Sequence, residues 1–453
     1  MTISENLAQY VHELSFSGIP EQAKKDCKRL ILDSVGVAIG GSGTKLASIA
    51  VALAREFADK RESTVIGGAF KTSCLNAAFA NGIMSHALDF DDDYEPGSLH
   101  AGCAIIPVAL AIGEAKRISG GELITAITAG YDVSCRVAFA ILPQRHARRP
   151  FHASAVANPF GAAAAAGKIL KLNKAQLVSA FGLAGDQASG LLQYHHDGTM
   201  IKQFHAGKAA QNGLLAALLA QREFTGPPEI FEGEFGFCNF MSPDDCQLAE
   251  LTRGLARDFR VSATSIKPFP SCRMTHSPIE AALILKEKYN IAPDEIDKVI
   301  IRTFSRAFKA HNKPSPDTVL QSILSEQYNI ATALVKGKVD FDDFTPEAIH
   351  DEKVRDLMKR IELVEDDEMT KIYAEHRNRP HELEISLKRG ETFVQRILDS
   401  PGSPEKPVSD AQLAGKFTDL ASPVFPGEKV QNLIDMIMKL EDIQDITELM
   451  ELM

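Results

Sequence analysis

Apolar residues recur at helical spacing through the first half of the chain. Leu7, Val11 and Leu14 share one face, and Leu30, Ile31, Val35 and Val37 form a second stripe that Gly40 and Gly41 end. Residues 4 to 222 read as helix after helix. The runs AAFANGIMSHA, FGAAAAAGKIL and HAGKAAQNGLLAALLA carry Ala and Gly at the same period, and small side chains let helix axes approach closely. The pattern predicts a compact, large all-α domain, closed by Gly226-Pro227-Pro228.

The texture changes near Lys267. EIDKVIIRTF (295–304) is a β-branched run, and HELEISLKRGETFVQRIL (381–398) alternates on both sides of Arg389-Gly390, a hairpin signature. Helical stretches such as PIEAALILKEKYN and VRDLMKRIEL lie between them, so this part is α+β. Beyond SPGSPEKP, Val430, Leu433, Ile434, Ile437 and Leu440 fall on one helical stripe. The expected organisation is mainly α: an all-helical domain over 1–266, a smaller α+β domain over 267–403, and a helical segment over 404–453 that returns to the first domain.

Charge and cysteine usage narrow the function classes. A net charge of −11 disfavours nucleic acid, since the longest basic cluster is the short RHARR segment at 145–149. A small anionic substrate remains compatible, because a pocket is able to be locally positive inside a negative protein. The 7 cysteines are scattered and never spaced C-x-x-C, which predicts neither a disulfide framework nor a zinc or iron–sulfur cradle. The reading is a reduced, cytoplasmic protein. The N-terminal MTISENLAQYVHELSF lacks the pattern of a secretory signal, and no run of 18 uninterrupted apolar residues suggests a membrane span.

Against that background the stretch HALDFDDDYEPGSLHAG, His86 to Gly102, is unusual for its acids. Asp89, Asp91 and Asp93 mimic the start of a calcium loop, yet its glycine and terminal glutamate are missing at their offsets. His86 and Asp89 make the only pair at transition-metal spacing, so no metal is expected. Three further segments bear chemistry. His152 follows Pro150-Phe151 and precedes a helix. Lys202 and His205 stand by an Ala-rich helix whose N-terminal end favours an anion. In KPFPSCRMTHSPIE, Ser277, Pro278 and Glu280 predict a capping box, which sets His276 at a helix mouth with Thr275 and Arg273 as a carboxylate receptor. Cys272 ranks below His276 as a reactive group, and Tyr328 in SEQYNIATALVKG reads on its own as a core aromatic.

Taken in order, HALDFDD followed by a histidine, FH before FGAAAAAGK, K-x-x-H-x-G-x-A-A, KPFPSCRxTH and S-x-x-Y before A-L-x-x-G resemble the MmgE/PrpD family over roughly residues 5 to 450. That family includes 2-methylcitrate dehydratase, cis-aconitate decarboxylase and iminodisuccinate epimerase. The resemblance implies a helical domain with an α+β lid, a site in the cleft between them, a homodimer, and lyase chemistry without metal or organic cofactor. It carries a catalytic set onto Asp89, His100, His152, Lys202, His276 and Tyr328; Asp93, His195, His205, Arg273 and Thr275 are expected as substrate contacts from their own chemistry beside that set. The expected reaction is decarboxylation or dehydration of a small di- or tricarboxylate by proton transfer beside a carboxylate. The alternatives are an epimerase or racemase of an imino- or amino-dicarboxylate, and a catalytically inactive binding homologue. This chain departs from the decarboxylase pattern in having Asp93 where that branch has threonine, Ala-Gly rather than Pro after His100, and the added His195 and His196.

Overall fold

A computed structural model describes every residue except 59, 69, 146–150, 244 and 377, together with the side chains at 142–145 and 376, so the basic run at 145–149 lies outside the described residues. The larger core is built around long helices that include Glu21–Gly41, Cys74–Ser85, Gly102–Lys116, Gly120–Arg145, Asn158–Ile169 and Ile201–Gln221. The helix Gly120–Arg145 is apolar enough over Gly120–Ile141 to cross a membrane, but 94% of that window is buried inside the molecule, as for a core helix.

Small residues set the spacing of these helices. A Cβ on Gly82 would sit 2.9 Å from Gly207 Cα, and one on Gly207 would sit 2.4 Å from the Phe79 carbonyl oxygen. Only glycine permits that approach. The helix leading into the acidic stretch and the helix carrying Lys202 and His205 are thereby held backbone to backbone.

One feature of this region departs from the helical pattern. A short antiparallel hairpin, β1 (Ser63–Val65) with β2 (Phe70–Thr72), interrupts it. Tertiary partners fix it rather than periodicity. The Thr64 backbone N–H and hydroxyl donate to the two carboxylate oxygens of buried Glu114, at 2.6 and 2.8 Å, and Ile66 N–H donates to the Asn81 side chain at 3.0 Å.

The second core lies around a four-stranded sheet of order β4-β3-β5-β6, made of β3 (Ile296–Thr303), β4 (Ile361–Glu365), β5 (His381–Leu387) and β6 (Thr392–Ile397). β3 and β4 run parallel, which requires a long crossover, and the chain supplies it with helices between them. β5 and β6 form the hairpin around Gly390, whose φ of +94° suits the turn. The helices His276–Tyr289 and Glu326–Lys336 cover the sheet through Ile279, Leu285, Ile330 and Leu334. The chain then passes back: helix Asp410–Ala421 packs on Glu21–Gly41, and Lys416 Nζ donates to Asp33, to the Phe90 carbonyl and to the Lys267 carbonyl at 2.6 to 2.9 Å.

Candidate active site

Each acid of the stretch 89–95 has its own partner, which is what separates it from a calcium loop. Asp89 sits just beyond the helix Cys74–Ser85 with φ +51°, a left-handed conformation that Asp tolerates better than most residues. Its Oδ2 accepts from Lys202 Nζ at 2.5 Å and its Oδ1 from Lys267 Nζ at 2.7 Å, and Lys267 also donates to the Asp89 carbonyl at 2.7 Å. Burial pushes the Asp89 carboxyl up, but the two ammonium groups outweigh it and hold the group well below the usual carboxylate range. Asp89 is therefore ionised. Asp91 pairs with His86 at 2.7 Å and Asp93 with Arg379 at 2.8 Å. Asp92 accepts from Gly102 N–H at 3.0 Å and from the Tyr131 hydroxyl at 2.8 Å. Burial, then the charge of Asp91, raise its carboxyl well above the normal range.

Four imidazoles gather beside these carboxylates. The His86 ring centroid is 4.9 Å from that of His100 and 5.9 Å from that of His152, and His152 is 5.3 Å from His205. His100 Nδ1 lies 2.7 Å from the Asp92 carbonyl oxygen, which only accepts, so Nδ1 carries the proton and Nε2 of the neutral ring is a free base. Burial lowers the His100 pKa to about 4, against the pull of Asp91. His152 Nδ1 and His205 Nδ1 are 3.2 Å apart. One must be donor and the other acceptor, so a single proton is shared between the two rings and sets the tautomer of both. Lys202 and His205 are three residues apart in the helix Ile201–Gln221 and face the same side.

Two models describe the chain almost end to end: the MmgE/PrpD N-terminal domain matches residues 5–249 and the MmgE/PrpD C-terminal domain matches residues 269–442. The chain belongs to the MmgE/PrpD family. It is similar to cis-aconitate decarboxylase of Mus musculus, 28% identical over 470 residues that cover 100% of this chain and 93% of the relative. It is also similar to cis-aconitate decarboxylase of Aspergillus terreus, 25% identical over 475 residues covering 100% and 96%. With 2-methylcitrate dehydratase of Salmonella typhimurium it shares 23% identity over 290 residues, 59% of this chain and 58% of the relative.

Within this MmgE/PrpD chain the residues expected to act fall into two groups. Asp89, His100, His152, Lys202 and His205 come together as described, His205 as the partner of His152. The others stand outside that group of imidazoles and ammonium, most of them bonded to protein partners. Tyr328 is fully buried in the sheet domain and its hydroxyl donates to the Asp343 carbonyl at 2.5 Å, with the Ala348 carbonyl at 3.3 Å, so it is a core residue and not a donor in the site. His276 has both ring nitrogens engaged: Nδ1 accepts from Arg273 Nη1 at 3.2 Å, which leaves Nε2–H to donate to the Ser271 carbonyl at 3.2 Å. Arg273 is no open carboxylate receptor, because it donates to Glu95 at 2.8 Å and to the carbonyls of Pro401 and Ser400. Thr275 donates to the Cys272 carbonyl at 2.9 Å and lies 2.8 Å from the Ser271 hydroxyl. Asp93 is taken by Arg379. His195 lies near His311, Lys313 and Lys202, and burial first, then those cations, lower its pKa to about 3. Ser277 does not cap: the helix starts at His276, directly from the turn Arg273–Thr275, and the Ser277 hydroxyl donates to the Arg379 carbonyl at 2.8 Å.

Lys267, Glu95 and Arg379 complete the site without having been singled out by spacing, and His86 and Asp91, weighed only as metal ligands, enter it as an ion pair. The only available signal was arithmetic: five acids in one buried loop require cations, and Lys267 opens the KPFP segment. Among the described residues, His86, Asp91 and Cys103 bring potential metal-binding atoms within 4.8 Å of one another. The donor set fits a metal poorly. Burial, then Asp91 and Asp92, hold the Cys103 thiol well above its ordinary pKa, whereas a metal takes thiolate, and His86 and Asp91 already bond each other.

Proposed function

We propose that this chain is a cofactor-independent lyase that decarboxylates or dehydrates a small di- or tricarboxylate related to aconitate or methylcitrate. Membership of the MmgE/PrpD family and the names of its relatives, cis-aconitate decarboxylase and 2-methylcitrate dehydratase, support the lyase class. The observation that carries the chemistry is the buried group of imidazoles beside the Lys202–Asp89–Lys267 triad. His86 Nε2 and Asp91 Oδ1 are buried there without a hydrogen-bond partner, which is unusual for polar atoms and suits a site that receives a polar guest.

A carbon next to a carboxylate is a weak acid, so the catalyst must neutralise the carboxylate and supply or remove a proton in a site closed to water. Lys202 binds the carboxylate. His100, with Nε2 free, and His152, whose Nδ1 proton is shared with His205, act as the acid/base pair. In decarboxylation the carbon–carboxylate bond breaks, its electron pair forms the shifted double bond, and the far alkene carbon takes one proton as CO2 departs. In dehydration one imidazole takes the α-proton and the other protonates the leaving hydroxyl, with no net proton change.

Incubation with citrate, 2-methylcitrate, cis-aconitate and imino- or hydroxysuccinates, followed by NMR in deuterated water, tests the reading. Loss of CO2 or water supports it. Deuterium exchange with inversion and no released group replaces it with epimerisation. Activity that survives dialysis against a chelator is part of the same expectation.

A further inference from the structure

Cys272 lies where the two cores meet. It packs against a cluster made of Tyr194 of the helical part and Leu320 and Leu324 of the sheet part, as does Leu192. Cys272 is incompletely covered, as is Cys246, whereas Cys27, Cys74, Cys103, Cys135 and Cys238 are buried; Cys246 has the Cys238 thiol rather than a histidine as its hydrogen-bond partner. The Cys272 sulfur faces His311 Nε2 at 3.7 Å. His311 ends the helix Ser305–His311, and its Nδ1 lies 2.8 Å from the Leu324 carbonyl oxygen. A carbonyl only accepts, so the proton of the neutral ring is on Nδ1 and the lone pair of Nε2 is aimed at the thiol.

We propose that Cys272 and His311 form a thiolate–imidazolium pair that makes Cys272 a site of covalent modification by conjugated alkenes bearing a carbonyl group. The thiol proton passes to His311 Nε2. Sγ then bonds the β-carbon of the alkene, the π pair moves to the α-carbon, and the proton on Nε2 ends there, leaving a thioether and a neutral imidazole. The adduct adds bulk between Tyr194 and Leu324 and so loosens the contact between the two parts.

The groups facing the pair favour ionisation. Burial pushes the Cys272 thiol up, but His311 outweighs it, and with Lys202 nearby and Asp89 opposing, the thiol comes down to about 7. Burial lowers His311, while Cys272 and Glu326 raise it to a net increase. His195 and Lys313 are the other charged or titratable neighbours. This inference does not depend on the proposed reaction, because its readouts need no substrate.

The test is labelling of the full chain with limiting N-ethylmaleimide, mapped by mass spectrometry across the pH range. Cys272 is expected to label at pH 7 about tenfold or more ahead of the other cysteines, with a midpoint near 7. His311→Gln is expected to slow it by about tenfold at pH 7. The labelled protein is expected to exchange amide hydrogens faster at 192–194 and 320–324. Another cysteine labelled first, or a midpoint in the ordinary thiol range in the unaltered chain, overturns the proposal. An unchanged rate in folded His311→Gln overturns it equally. Unchanged exchange overturns the loosening.

Discussion

Asp89 and Lys202 are locked 2.5 Å apart between two segments 113 residues distant in sequence, with Lys267 on the other carboxylate oxygen. Removing the acid leaves two ammonium groups buried without their counter-charge. Asp89→Ala is therefore expected to lower stability by about 3 to 5 kcal/mol at pH 7, read by urea denaturation. The pH dependence follows from the direction of the shift. The Asp89 carboxyl is held below its usual range, so its contribution is full above an unfolded value of about 3.9 and is lost as pH falls through the folded value. The gap between the parent and Asp89→Ala should persist from neutral pH down to about 4 and close only below it.

His100 provides a second, independent pH marker. Burial holds its pKa at about 4, so as a base it is available over the whole range above that value. The acidic limb of kcat/KM attributable to His100 should fall near 4 rather than near the ordinary histidine value of about 6.5. Stability carries the same sign: a depressed histidine stabilises above its unfolded value and loses that contribution as pH falls toward 4. A pH–rate profile with a parallel stability curve separates the two effects. A limb at 6.5 in a protein still folded would remove His100 from the role of base.

Tyr328→Phe distinguishes a core tyrosine from a proton donor. Its hydroxyl is engaged within the sheet domain, by backbone carbonyls and the Thr332 side chain, so the change should cost about 1 kcal/mol in stability and leave kcat unaltered. A donor in the reaction would lose roughly 100-fold or more in kcat. Steady-state kinetics beside a denaturation curve decides between them.

These contrasts show what was legible in the chain. The fold class was, because helical stripes and the Arg389-Gly390 hairpin are local patterns, and the β1–β2 hairpin was missed because its anchor, Glu114, is 50 residues from Thr64. The histidines and Lys202 were legible as chemistry in small-residue surroundings. The division of labour among them was not. Whether Arg273 receives a substrate carboxylate or anchors Glu95 depends on which acid reaches it across the fold, and Ser277 has the spacing of a cap yet finds the Arg379 carbonyl 102 residues away. Ion-pair choice is a tertiary outcome, set by geometry that no short motif records.

The shared proton between His152 and His205 makes His205 a positioning residue for His152. With its Nδ1 held by His205, His152 presents either Nε2–H or a bare Nε2, according to which ring holds the shared proton. His205→Phe removes the partner and leaves that choice unfixed. The expected result is a fall in kcat of about tenfold or more with KM little changed, and a shifted pH profile. His205→Gln, which retains hydrogen bonding to His152 but does not relay a proton, should restore folding more than turnover. A KM effect without a kcat effect would instead assign His205 to substrate contact.

Asp93 bears on which acids the site accepts. It is buried, burial pushes its carboxyl up but Arg379 outweighs that and holds it below the usual range, and the Arg379 guanidinium has Asp93 as its nearer carboxylate partner. Glu95 lies 3.4 Å from the same guanidinium and pairs with Arg273, so releasing Asp93 leaves Arg379 partly compensated rather than bare. Asp93→Thr should consequently fold, with some loss of stability, while making Arg379 available to one more substrate carboxylate. Since a charge-assisted hydrogen bond contributes about 1.5 to 3 kcal/mol, the ratio of kcat/KM for a tricarboxylate over a dicarboxylate should rise by about tenfold or more. Kinetics on matched di- and tricarboxylates measures that ratio directly. An unchanged ratio in a folded variant would mean that Arg379 serves only to join the two cores.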